Sequence, residues 1–93
     1  MKNVRKFYEC CTAHLPEVVA INIDQGKFAV TPTMTNEYGW MFHVPETTLE
    51  MRLDETFCTA FLNIMELAID ADCDYIIFDR DVDPVEYLKL YNW

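Results

Sequence analysis

Residues 57–78 read FCTAFLNIMELAIDADCDYIIF, and two periodicities meet inside them. Phe57, Ala60, Phe61, Ile64, Met65 and Ala68 recur at the three- and four-residue spacing that lines one face of a helix. This stripe predicts the best helix of the chain, ending near Asp72. Tyr75-Ile76-Ile77-Phe78 then runs apolar without a break, the pattern of a strand buried in the middle of a sheet. An amphipathic helix leading into a central strand places the chain in the α+β class.

Working outward, Tyr38–Val44 alternates: Trp40, Phe42 and Val44 point one way, and Met41 and His43 the other. Phe28–Thr33 reads as a second strand, joined to the first by the turn-like Met34-Thr35-Asn36-Glu37 as an antiparallel hairpin. Pro32 removes a ladder donor, so this strand belongs at an edge or ends there. Pro45 stops the Tyr38 strand, and Thr47-Thr48-Leu49-Glu50 carries the spacing of a capping box. The main helix therefore starts near Thr47 or, after a break, at Asp54. Toward the N-terminus, Arg5–Thr12 reads as a strand. Residues 17–24 read two ways. Leu15, Val18, Val19 and Asn22 fit a short helix, while Val19, Ile21 and Ile23 alternate as in a strand. Pro16 before the segment and Gln25-Gly26 after it favour the helix.

The resulting order, β-α-β-β-α-β, matches a ferredoxin-like fold. It implies a single antiparallel sheet with two helices on one face and a C-terminal tail from Asp79 to Trp93. A meander-type α+β sheet with one main helix is the alternative if residues 17–24 are not helical. Ninety-three residues hold one core, so residues 1–93 are read as a single domain.

Charge narrows the function. Sixteen acids against seven bases give a net charge of −9, which disfavours direct contact with nucleic acid. Thirteen aromatic residues exclude a disordered acidic tail. No apolar run approaches the roughly 20 residues of a membrane span. The first residues, MKNVRKFYECC, lack the apolar stretch of a secretion signal, so a reducing cytoplasm is expected.

Cys10, Cys11, Cys58 and Cys73 form no C-x-x-C pair. Cys10, Cys11 and His14, with Cys73, offer a metal-ligand set. Structural zinc sites show paired short spacings, however, and here there is one cluster, so small buried hydrophobes are the expected role. The chain has no Ser, neither His sits in a nucleophile motif, and two Gly leave no Gly-rich phosphate loop. No catalytic residue, cofactor or metal is assigned.

Acid clustering is the most unusual feature. Residues 66–86 hold eight acids and only Arg80 as a base, a net −7 of the total −9. Asp70/Asp72/Asp74 and Asp79/Asp81/Asp83 each form D-x-D-x-D. Neither frame supplies the Gly of an EF-hand loop. If extended, Asp79, Asp81 and Asp83 would share one face at roughly 7 Å intervals. That lies in the range of backbone phosphates, which advance about 3.4 Å per step along the axis. Asp72, Asp74, Asp79, Asp81, Asp83 and Glu86 are thus the candidate partner-binding charges, with Tyr87, Tyr91 and Trp93 of the apolar tail as anchors.

Three segments together resemble a family of small uncharacterised bacterial proteins carried on plasmids and other mobile elements. They are Cys11–Glu17, Tyr38–Glu46, and Asp74–Asp81 with the closing Leu90-Tyr91-Asn92-Trp93. The apolar Val18–Ile23 run departs from the polar helix usual in that pattern. The family has no established activity, so the resemblance transfers no catalytic residue. It implies a context, since small acidic proteins on mobile elements often act against restriction and CRISPR machinery. The expectation is a non-enzymatic acidic inhibitor that binds a protein with a basic surface, such as a nuclease or a CRISPR complex. A homo-oligomer is compatible with this reading. The alternative is a generic interaction module whose acidity serves only solubility.

Overall fold

The computed structural model describes residues 4–54 and 57–93. The elements in chain order are β1 (Phe7–Cys10), a 3-10 turn (Thr12–His14), α1 (Glu17–Asp24), β2 (Met34–Asn36), β3 (Gly39–His43), α2 (Leu49–Arg52), α3 (Thr59–Asp70) and β4 (Tyr75–Asp79). The strands form one sheet in the order β1-β4-β3-β2.

The α+β class is as read from the sequence, but the sheet is mixed and a further short helix, α2, precedes the main one. β3 is antiparallel to both β2 and β4, whereas β1 runs parallel to β4. This corrects the expectation of a wholly antiparallel sheet. A ferredoxin-like sheet would also place β1 between β4 and β3, yet those two strands pair directly. The reason lies in the inward residues. Pairing Trp40 with Phe78 and Phe42 with Ile76 brings four buried apolar side chains together across one ladder. β1 turns only Tyr8 and Cys10 inward and exposes Phe7 and Glu9, so it takes an edge.

The helices cover the inward face. Val19, Ala20 and Ile23 of α1 join Phe61, Ile64, Met65 and Ala68 of α3 in one core with Phe42, Ile76 and Phe78. α1 occupies the helical alternative for residues 17–24, but its phase differs, because Val18 faces solvent. Aromatic rings fill the centre. Phe61 lies 5.2 Å from Phe42 edge-on and 6.0 Å from Phe78 in a stack. The other face carries Phe7, Tyr75, Ile77, Met41 and His43 and has no helix over it among the described residues.

Two local readings need correction. Phe28–Thr33 is not a strand. Phe28 turns inward against Phe42, Phe57 and Phe61, Pro32 supplies no donor, and the strand forms one step later at Met34–Asn36. The hairpin turn is accordingly Glu37-Tyr38, where the Asn36 side-chain oxygen accepts the Tyr38 and Gly39 amides at 2.8 and 3.1 Å.

Second, the segment from Thr47 is split into a short α2 and the main α3. Thr48 is buried and donates to Glu66 at 2.5 Å, while Arg52 Nε donates to its hydroxyl at 3.0 Å. Thr47 accepts the Leu49 amide. These hydroxyls therefore tie α2 down rather than open one long helix, and α3 starts at Thr59, not at Asp54. The end of α3 falls near Asp72 as expected, its last helical residue being Asp70. Asp72 adopts φ 58°, its amide reaches Ile69 O, and the Cys73 amide reaches Ala68 O. That double closure is a Schellman end, with Asp in the left-handed position usually held by Gly.

Gly39 of β3 lies directly against the β4 backbone. A β-carbon there would overlap the Phe78 carbonyl oxygen. Gly39→Ala is expected to cost about 3 kcal/mol, read as a lower urea midpoint. An unchanged midpoint would mean that the ladder tolerates a wider approach.

Candidate functional site

β4 is five residues long, so the two acidic runs leave it at opposite ends, about 13 Å apart along the strand. At its start, Asp74 accepts the Lys6 amide at 2.8 Å, and Lys6 Nζ donates to Ala71 O at 2.8 Å. Asp72 ends α3 as described. Asp72 and Asp74 thus have structural duties and stand apart from the other candidates.

At the far end the chain turns. The Asp79 carboxylate accepts the Asp81 amide at 2.8 Å, and the Val82 amide reaches Asp79 O at 3.2 Å. Asp79, Asp81 and Asp83 are therefore not extended, and the regular phosphate-like spacing is not formed. A carboxylate two residues before a free amide closes such a turn locally, which removes the extended option. Asp81 and Asp83 remain exposed.

Arg80 folds back over the start of β3. Its amide donates to Tyr38 O at 2.9 Å, and its guanidinium lies 5.2 Å from the centre of the Tyr38 ring. Among the described residues no carboxylate comes within ion-pair distance of it. The one cation of the acidic stretch is held on an aromatic ring, and among the described residues no cation pairs with Asp81 or Asp83.

Beside it opens a cleft of about 210 Å³, walled by Tyr38, Arg80 and Trp93 and edged by Asp24 and Glu37. Its floor is fixed by Trp40, whose Nε1 donates to Asp24 at 2.8 Å. Tyr38, Asp24 and Glu37 were not among the sequence candidates. The antiparallel register held the signal for Tyr38, because pairing Gly39 with Asp79 brings the residue before one against the residue after the other.

The tail is latched to the segment 11–15. His14, 2% exposed, receives the Val85 amide on Nε2 at 3.0 Å and donates from Nδ1 to Lys89 O at 2.9 Å. A carbonyl can only accept and an amide can only donate, so these partners place the ring proton on Nδ1. The Tyr91 amide reaches Ala13 O at 2.9 Å, and Trp93 Nε1 donates to Leu15 O at 2.9 Å. Tyr91 is half-buried, with Lys89 Nζ 4.8 Å from its ring centre. Tyr87 and Trp93 keep exposed faces, and the Tyr87 hydroxyl shares a 3.0 Å hydrogen bond with Tyr8. Glu86, next to Tyr87, is exposed. Asp79, Asp81 and Asp83 thus leave the end of β4 that Trp93 and the cleft share, Tyr87 meets Tyr8 of β1, and Asp72 and Asp74 lie at the other end of β4.

The thiols take the expected buried role in part. Cys10 and Cys11 are buried, while Cys58 and Cys73 are half-buried. Burial, and secondarily Cys11, pushes the Cys10 thiol from 9.0 up to about 12. Burial, then the Tyr87 hydrogen bond, also raises the Tyr8 phenol. Both His14 nitrogens are occupied, and Cys10 pairs with Phe78, five positions beyond Cys73. Among the described residues no group of three His, Cys, Asp or Glu converges to hold a metal ion.

The chain belongs to the family of unknown function DUF5983, matching its C-terminal domain over residues 7–93. No curated protein and no solved structure matches it. No described helix is long and apolar enough to cross a membrane.

His14→Ala leaves the Val85 amide and Lys89 carbonyl unpaired and is expected to cost about 2 kcal/mol. Hydrogen exchange should quicken at Val85 and Tyr91 and stay slow at Ile77. Equal protection of the tail in both proteins would contradict the latch. The stabilisation from the neutral Cys10 thiol is complete below about pH 9 and is lost as pH rises toward about 12. The urea midpoint of wild type should therefore fall relative to that of Cys10→Val in that window, and a constant difference would contradict it.

Proposed function

We propose that this DUF5983 member is a non-enzymatic acidic inhibitor that binds a basic, nucleic-acid-handling surface of a host defence complex, of the restriction or CRISPR type. The observation that carries this reading is the exposed Asp81 and Asp83 beside an Arg80 held on Tyr38, so that the acidic loop keeps its charge. Glu86 extends the charge along the tail, and the exposed Tyr87 and Trp93 supply apolar anchors next to it. Aromatic anchors ringed by complementary charge are the usual make-up of a binding hot spot. The resemblance to proteins of mobile elements supports a defence complex as the target. The loop would act as clustered counter-charge, because its turn excludes an evenly spaced copy of a phosphate backbone.

Docking of this kind speeds association and weakens in salt. The test is capture of partners from bacterial lysate by wild type and by Asp81→Lys/Asp83→Lys. Both side chains are exposed, so the variant should fold normally. A nuclease, helicase or CRISPR subunit should be captured, with affinity at least about tenfold weaker for the variant, the cost of roughly 1.4 kcal/mol. Equal affinity would end this reading and leave acidity as a solubility device on an accessory module.

A further inference from the structure

Among the described residues, one face of the sheet has no second layer. Phe7 and Tyr75 stack on it with ring centres 5.6 Å apart, and Ile77, Met41 and Met34 form the next row across β4, β3 and β2. Phe7 is 48% and Met34 63% exposed. α1 and α3 cover one face here. Between Met34, Met41 and Ile77, where Gly39 contributes no side chain, a hollow of about 150 Å³ opens. A cavity of about that size accepts a benzene ring.

Charge selects the occupant. A second copy would bring another −9 against this one, which opposes self-association. The carboxylates of Glu9 and Asp79 share the open face, Glu9 in the row of Ile77 and Asp79 opposite Gly39. They call for cations at that end of whatever covers the apolar rows. A helix of three turns, about 16 Å long, spans β4.

We propose that the open face receives an amphipathic helix of a partner protein. Its apolar stripe lies on Tyr75, Ile77, Met41 and Met34, and an aromatic or leucine side chain fills the hollow. Its Lys or Arg residues stand over Glu9 and Asp79. The proposal rests on the protein-binding reading above and adds to the acidic loop a second surface, which meets the loop at Asp79.

The probe is a displayed library of helical peptides about 16 residues long, roughly 24 Å, selected on the wild-type protein. Enriched peptides should carry apolar residues at i, i+3 or i+4, and i+7, with basic residues clustered at one end. Their affinity should fall tenfold or more with Met34→Glu, and in a second variant with Phe7→Thr, both checked for native circular dichroism. Read at about 0.3 M salt, where the added lysines are screened, it should hold within about threefold with Asp81→Lys/Asp83→Lys, which separates this site from the acidic loop. No enrichment, enriched peptides without the stripe, or affinity unchanged by both open-face variants would overturn the proposal. So would a dimer of the protein alone that Met34→Glu dissolves. Peptides lost only with the aspartate reversal would sink the helix site and leave the acidic-loop reading standing.

Discussion

The contact of Phe78 and Ile76 with Phe42 and Phe61 is the constraint on which the rest of the structure depends. These four side chains are fully buried, and rings of three of them meet at 5.2 to 6.0 Å. Burying a side chain of this size contributes about 1.5–3 kcal/mol, so the group outweighs any single hydrogen bond in the molecule. It fixes β4 beside β3 and sets the register in which Gly39 meets Asp79. Once β4 is central, its flanking residues must leave the sheet at its two ends. The carboxylates around the most apolar strand are thereby sorted into two poles.

That sorting separates structural acids from available ones. Asp72 closes a helix, Asp74 holds the start of β1 through the Lys6 amide, and Asp79 closes a turn. Asp81, Asp83 and Glu86 remain exposed with no such duty in hand. A run of similar residues in the sequence is thus not one surface. The functional weight falls on the second run and on the cleft beside it.

The elements easiest to read were those whose period repeats several times. The stripe of α3 and the apolar run of β4 needed no partner to be recognised, and the Trp40/Phe42 alternation gave the covered face of β3. Short elements were harder. Phe28 is as apolar as a strand residue but is spent on the aromatic core, which shifted β2 past the expected segment. The parallel edge position of β1 depends on which strands pair most favourably, a comparison no single segment contains. The tail latch depends on His14 meeting Val85 and Lys89, 71 and 75 positions away. Arg80 on Tyr38 was equally out of reach, because it follows from the register and not from either residue alone.

The most direct measurement of the central claim is the salt dependence of affinity for the nucleic-acid-handling partner. The account predicts a marked fall of affinity as salt rises from about 50 to about 200 mM, and a smaller fall for Asp81→Lys/Asp83→Lys. A flat line for the wild-type protein would contradict it and place the binding energy on apolar surface alone.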